Sequence, residues 1–207
     1  MPPIVHYLPD ALRTLQRDRS LKKIIQQVGE FQPRPTPPRD YFPILVNSIV
    51  SQMLSLKAAA TIQQRLRDRL KPGKVEPAGM LRITIEELKK VGLSTTKAQA
   101  MHDLARRTLE GVLPLKSFTK LENHDIIEHL VEVRGIGRWT AEMFLMFGLV
   151  RPDVWPIDDL GLRAAVKRLD RLKDMPDKKY MLSRGEVYAP YRTVASWYLW
   201  QSLKLPE

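Results

Sequence analysis

The stretch from Leu130 to Arg163, LVEVRGIGRWTAEMFLMFGLVRPDVWPIDDLGLR, decides both the fold and the chemistry of this chain. An apolar-edged segment runs into Arg134-Gly135-Ile136-Gly137-Arg138, and a new apolar segment starts at Trp139. Two glycines at this spacing predict a hairpin too tight for residues that carry a Cβ. The apolar spacing predicts a helix over 123–133 before the hairpin and another over 138–148 after it. The amides around Gly135 and Gly137 then stand at a helix start. There, unpaired N–H groups and the positive end of the helix dipole suit a phosphate oxygen. Asp158-Asp159 follows at the start of a further helix. One half of the stretch holds a phosphate and the other offers a carboxylate.

Outward from this stretch, the pattern is helical almost throughout, and the fold class expected is all-α. Leu12, Leu15, Leu21, Ile24, Ile25 and Val28 recur at helical spacing and predict one helix over 10–28, stopped at Gly29. Four prolines between Phe31 and Arg39 predict a non-helical linker. The chain is apolar from Tyr41 to Leu54, and a helix is expected over 55–70. Thr84-Ile85-Glu86-Glu87 has the form of a capping box with Gly92 as the stop. Further helices are expected over 95–110, 160–169, 177–187 and 191–203. No alternating pattern calls for a sheet.

Composition narrows the class. With 207 residues there is room for one sizeable core or one domain of two lobes. A hydrophobic share of 43% with 28% charged residues fits a soluble globular chain rather than a disordered one. Lys and Arg number 34 against 23 Asp and Glu, and the net charge of +11 favours a polyanionic partner, nucleic acid before an anionic membrane. The bland alternative is solubility alone. The excess is spread along the chain, as in Arg65, Arg67, Arg69, Lys71 and Lys74, rather than gathered in a tail. Cysteine is absent, which excludes disulfides, zinc–thiolate sites and iron–sulfur clusters within this chain. His6, His102, His124 and His129 are scattered without metal-ligand spacing, so neither a metal nor another cofactor is expected. Neither a run of about eighteen apolar residues nor a signal-peptide pattern is seen, and the expected compartment is the cytosol, or the nucleus in a eukaryote.

Gly135-Ile136-Gly137-Arg138-Trp139-Thr140-Ala141, Trp155 and the pair Asp158-Asp159 at their separation resemble the helix-hairpin-helix superfamily of DNA glycosylases. Within it they resemble the alkylation-repair branch, 3-methyladenine DNA glycosylase II, and the likeness extends over nearly the whole chain from about residue 40. The endonuclease III branch shares the hairpin but carries a four-cysteine cluster. The resemblance implies a two-lobed helical fold with the active site in the cleft between lobes. Residues 1–40, an N-terminal helix and proline-rich linker, would pack with a C-terminal lobe of residues 149–207 that carries the catalytic Asp. Residues 41–148 would form the other lobe and end in the helix-hairpin-helix over 123–148.

The same resemblance implies the roles of single residues. Arg134, Gly135, Gly137, Arg138 and Thr140 would bind the DNA backbone. Gln52 and Met53 would lie at the wedge that fills the gap left by an extruded nucleotide, where an apolar side chain replaces lost stacking. The alternative for Met53 is a core residue at a helix end. Trp139 and Trp200 would line the pocket for the flipped base, with Met143, Tyr41 and Trp197 as further candidates, although helical aromatics are commonly core. Position 139 holds a nucleophilic lysine in branches that also cut the backbone. Tryptophan cannot form a Schiff base, so a monofunctional enzyme is expected. Asp159 would be the catalytic carboxylate, stabilising positive charge on the deoxyribose, while Asp158 caps the following helix. The implied partner is duplex DNA with damaged bases, with no membrane and no obligatory protein partner. Excision of another kind of lesion and a non-catalytic DNA-binding module are the alternative readings.

Overall fold

The computed structural model describes residues 6–206, apart from the side chain of Leu56. Every regular element among them is helical, in accord with the all-α expectation. The predicted helix over 10–28 is instead two, α1 (Leu8–Leu15) and α2 (Arg19–Val28). The Asp18 carboxylate accepts hydrogen bonds from the amides of Ser20 (2.9 Å) and Leu21 (3.1 Å) and so starts a new helix. A short acidic side chain competes for amides in this way, which apolar periodicity does not register.

The proline-rich segment is non-helical up to a single 3₁₀ turn at Pro38–Asp40. Helix α3 (Tyr41–Ser51) leads through a turn to α4 (Leu56–Leu70), capped by Ser55. Helix α5 (Pro77–Arg82) has no counterpart in the sequence reading, although a proline at the first helical position was a usable signal. The capping box is present, with Thr84 and Glu87 bonding reciprocally at the start of α6 (Ile85–Lys90). Helices α7 (Thr95–Leu109) and α8 (Asn123–Val131) follow. The helix expected over 138–148 is α-helical only in α9 (Arg138–Met143) and continues as a π-helical turn, Phe144–Gly148. Helices α10 (Leu160–Leu169), α11 (Lys178–Glu186) and α12 (Arg192–Ser202) complete the order.

The chain divides into two compact units, one of residues up to Pro35 together with Leu145 onward, the other Thr36–Phe144. In the first, α2 and α10 pack on α12 around Leu21, Leu162, Val166, Met181, Tyr188 and Leu199. Complete burial of one such side chain contributes about 1.5–3 kcal/mol. At the margin of this core Arg184 bridges Asp18 (2.6 Å) and Asp170 (2.9 Å) and lies over the ring of Tyr188. Trp155 is buried and donates its indole N–H to the carbonyl of Met181 at 2.7 Å. Gly185 makes this possible, because a Cβ there would lie 2.6 Å from the indole. In the second unit α3, α5 and α6 pack on α7, with Tyr41, Phe118 and Phe144 in edge-to-face contact. Among the described residues, no helix is long and apolar enough to cross a membrane.

Candidate active site

The hairpin between α8 and α9 is held from two sides. The Arg134 amide donates to the Asp103 carboxylate on α7 at 2.9 Å, and the side-chain amide of Gln52 donates to the Gly135 carbonyl, also at 2.9 Å. Burial would raise the Asp103 carboxyl, but the Arg134 amide together with Arg106 and Arg107 holds it below the usual carboxylate range. Gly135 has φ +76, and a Cβ on it would approach that of Ala100 to 3.1 Å. Gly137 is different: its backbone is ordinary extended (φ −91, ψ 171), and a Cβ there would meet nothing within 4 Å. The expectation that tightness demands both glycines therefore holds for Gly135 alone. What space Gly137 leaves open is space outside the hairpin.

Beyond the hairpin, α9 presents Trp139, Thr140 and Met143 to a cavity of about 670 Å³. Ile44, Asn47, Ser48 and Ser51 of α3 form its other wall, with Gln52 and Met53 at the end. That volume is ample for one base. Trp139 is 48% exposed and lines this cavity, unlike the aromatics buried in the core. Thr140, expected at the DNA backbone, is buried and lines this cavity. Arg138, largely exposed, pairs with Glu142 at 3.0 Å. Tyr41, expected as a pocket residue, is buried against Phe144, because the apolar face of α3 that carries it turns inward. Trp197, partly buried, packs at 4.7 Å on Phe31 against the core of the first unit.

Met53 is fully exposed (101%), which removes its reading as a core residue. It occupies the third position of a turn, Ser51-Gln52-Met53-Leu54, closed by the Leu54 amide on the Ser51 carbonyl at 3.2 Å. Gln52 at φ −52, ψ 129 and Met53 at φ +54 make this a type II turn, whose third position favours glycine. A large apolar side chain is thus kept where backbone and solvent both disfavour it, a combination that marks functional positions.

In the first unit, Asp159 rather than Asp158 caps α10. Asp159 Oδ1 accepts from the Leu162 amide at 2.6 Å and from the Trp200 indole N–H at 2.8 Å. Asp158 instead pairs with Lys178 at 2.8 Å on the surface. The cap geometry selects the residue immediately before the first helical turn, and that residue is Asp159. Trp200, expected to face the base, thus also orients the carboxylate, while its ring leans on Phe147. Gly161 permits the approach: a Cβ there would stand 3.2 Å from Asp159 Oδ1 and 3.3 Å from the indole of Trp200. The sequence reading passed over Gly161, although a glycine within a helix, costing about 1 kcal/mol relative to alanine, calls for a packing reason.

DNA-3-methyladenine glycosylase 1 of Schizosaccharomyces pombe is 36% identical to the chain, over 92% of this chain and 85% of its own length. The solved structure of the 3-methyladenine DNA glycosylase Mag1 of the same yeast, in complex with abasic DNA, superposes with a TM-score of 0.84 at 34% identity, covering 95% of this chain and 97% of that one. A DNA-3-methyladenine glycosidase from Bacillus halodurans superposes with a TM-score of 0.81 at 36% identity, over 91% of this chain and 86% of that one. The model of the HhH-GPD superfamily of base excision DNA repair proteins matches residues 46–190, a span that takes in the α3–α4 turn, the hairpin and Asp159. That match covers more than half of the chain, and with relatives at 34–36% identity it shows that the chain belongs to the HhH-GPD superfamily.

Proposed function

We infer that this protein is a monofunctional DNA glycosylase that flips alkylated purines out of duplex DNA and hydrolyses their N-glycosidic bond, as the first step of base excision repair. The observation that carries the reading is Asp159, whose carboxylate is oriented by the Leu162 amide and the Trp200 indole. As the glycosidic bond lengthens, positive charge develops on the deoxyribose, and a fixed carboxylate stabilises it and orients the attacking water. The cavity beside Trp139 and Met143 receives the base. Methylation at a ring nitrogen makes a purine electron-poor or cationic, and a cation over an indole face gains about 0.5–2 kcal/mol. Its glycosidic bond is already weakened, so the base leaves with little help from an acid. The enzyme acts where chromosomal DNA lies, in the nucleoid of a bacterium or the nucleus of a eukaryote.

Incubation with methylated duplex DNA tests this directly: release of 3-methyladenine and 7-methylguanine is expected, with the strand left intact at an abasic site. Borohydride should trap no covalent adduct, since Trp139 offers no amine. An adduct would overturn the monofunctional assignment, and release of oxidised or mismatched bases alone would overturn the alkylpurine specificity.

The hairpin glycines should separate by role. Gly137→Val is expected to fold normally, because its backbone is extended and its surroundings open, yet to lose DNA affinity through a blocked phosphate approach. Gly135→Val should instead destabilise the protein by about 1–3 kcal/mol, because its left-handed backbone is strained for a β-branched residue. Affinity in the parent should fall with salt at a slope near −0.9 per phosphate contacted. Filter binding and urea melts of both variants decide the matter; unchanged affinity in folded Gly137→Val would remove the hairpin from the interface.

A further inference from the structure

The turn that carries Met53 is braced by a residue outside both the turn and the hairpin. Lys97, in the first turn of α7, reaches to the end of α3 and donates from Nζ to the carbonyls of Val50 (2.8 Å) and Gln52 (2.7 Å). Neither partner is a carboxylate, so the cation serves to hold backbone rather than to complete an ion pair. Partial burial lowers the pKa of its ammonium, which marks a group drawn away from water toward these carbonyls. A cation at a helix C-terminus is favoured by the helix dipole.

The second of the two carbonyls matters most. Type I and type II turns differ by a flip of the central peptide, here Gln52–Met53. The type II form puts the third residue at positive φ, a conformation that disfavours methionine. Without a tether, the turn would relax toward type I, and Met53 would leave its outward position. The Lys97 bond to the Gln52 carbonyl fixes that peptide, while the side chain of Gln52 ties the same turn to the hairpin at Gly135. We propose that Lys97 is a positioning residue for base flipping, pinning the central peptide of the α3–α4 turn so that Met53 is presented as a preset wedge in register with the phosphate-holding hairpin. The proposal rests on the glycosylase reading above and adds to it the residue that prepares the wedge.

Its test compares Lys97→Met and Lys97→Arg with the parent in single-turnover excision of 7-methylguanine. One duplex pairs the lesion with cytosine and a second places it opposite an abasic gap, where extrusion needs little help from a wedge. Lys97→Met should lose about tenfold on the paired lesion, the scale of a lost charge-assisted hydrogen bond, and no more than about twofold on the unpaired one. Lys97→Arg should recover most of the paired rate. Because the two rates come from one preparation, their ratio is unaffected by a smaller folded fraction. Equal losses on both duplexes would mean a merely structural role and would overturn the proposal, as would no loss on either. If the parent releases no alkylated base, the functional reading fails, and the wedge is then read without chemistry. 2-Aminopurine placed next to an abasic site should change fluorescence on saturation with the parent, and much less with Lys97→Met. The same change with both proteins, or no change with either, would overturn the positioning role.

Discussion

Replacement of Asp159 by asparagine should reduce base release by roughly 10²–10³ or more, the scale on which a fixed electrostatic contact to a transition state acts, while the protein stays folded. Asparagine caps helices about as well as aspartate. Its amide oxygen can accept from both Leu162 and Trp200 as Asp159 Oδ1 does, so the substitution removes the charge and keeps these two hydrogen bonds. Binding to lesion DNA should stay similar or tighten, because a carboxylate facing phosphates is repulsive. Asp158→Asn should remain close to parental activity. Its pairing with Lys178 is about half exposed on both sides, and such surface pairs contribute about 0–1 kcal/mol. Single-turnover excision beside a binding titration measures both variants. Full activity in Asp159→Asn would remove the carboxylate mechanism, and loss confined to Asp158→Asn would move it by one residue.

The largest expected effect on stability comes from Arg184→Met. Arg184 and its partners Asp18 and Asp170 are each only 15–17% exposed. Removal of the guanidinium leaves two carboxylates, one of them the cap of α2, without their counter-charge, at a cost of about 3–5 kcal/mol. Burial would raise the Asp18 carboxyl, but hydrogen bonds from Arg184 and from the Leu21 and Ser20 amides hold it below its ordinary value. Because the folded value is the lower one, the stability that Asp18 contributes is complete above the unfolded carboxyl pKa of about 3.9. It is lost as the pH falls through the folded value. The gap between parent and variant in urea denaturation should therefore be wide at pH 7 and narrow below about pH 4. A gap that does not change with pH would assign the loss to packing of Arg184 on Tyr188 instead of to charge.

Much of the site was legible in the residues because local rules set it. The hairpin follows from glycines flanked by apolar helical segments, and α10 follows from an acid before an apolar-periodic run. The expectation of no Schiff base rests on the resemblance together with the tryptophan at position 139. The helix missed at Pro77–Arg82 and the break at Asp18 were also local. A proline at a first turn and an acid competing for amides carry their signal outside the apolar periodicity.

By itself, then, the sequence determined the all-helical class, the hairpin, the acidic pair and the family, since each depends on residues a few positions apart or on a motif kept intact along the chain. Tertiary structure decided which of two adjacent aspartates caps α10 and which meets Lys178. It also decided that Tyr41 is buried and Trp197 packs against the core while Trp139 is half-exposed, and that Met53 stands in solvent on a turn braced by Lys97. The physical reason is that the direction of a side chain is set by what packs against its own element. For Trp200 that neighbour is Gly161, and for Gln52 it is Gly135, partners far off in sequence whose approach only the folded chain brings about.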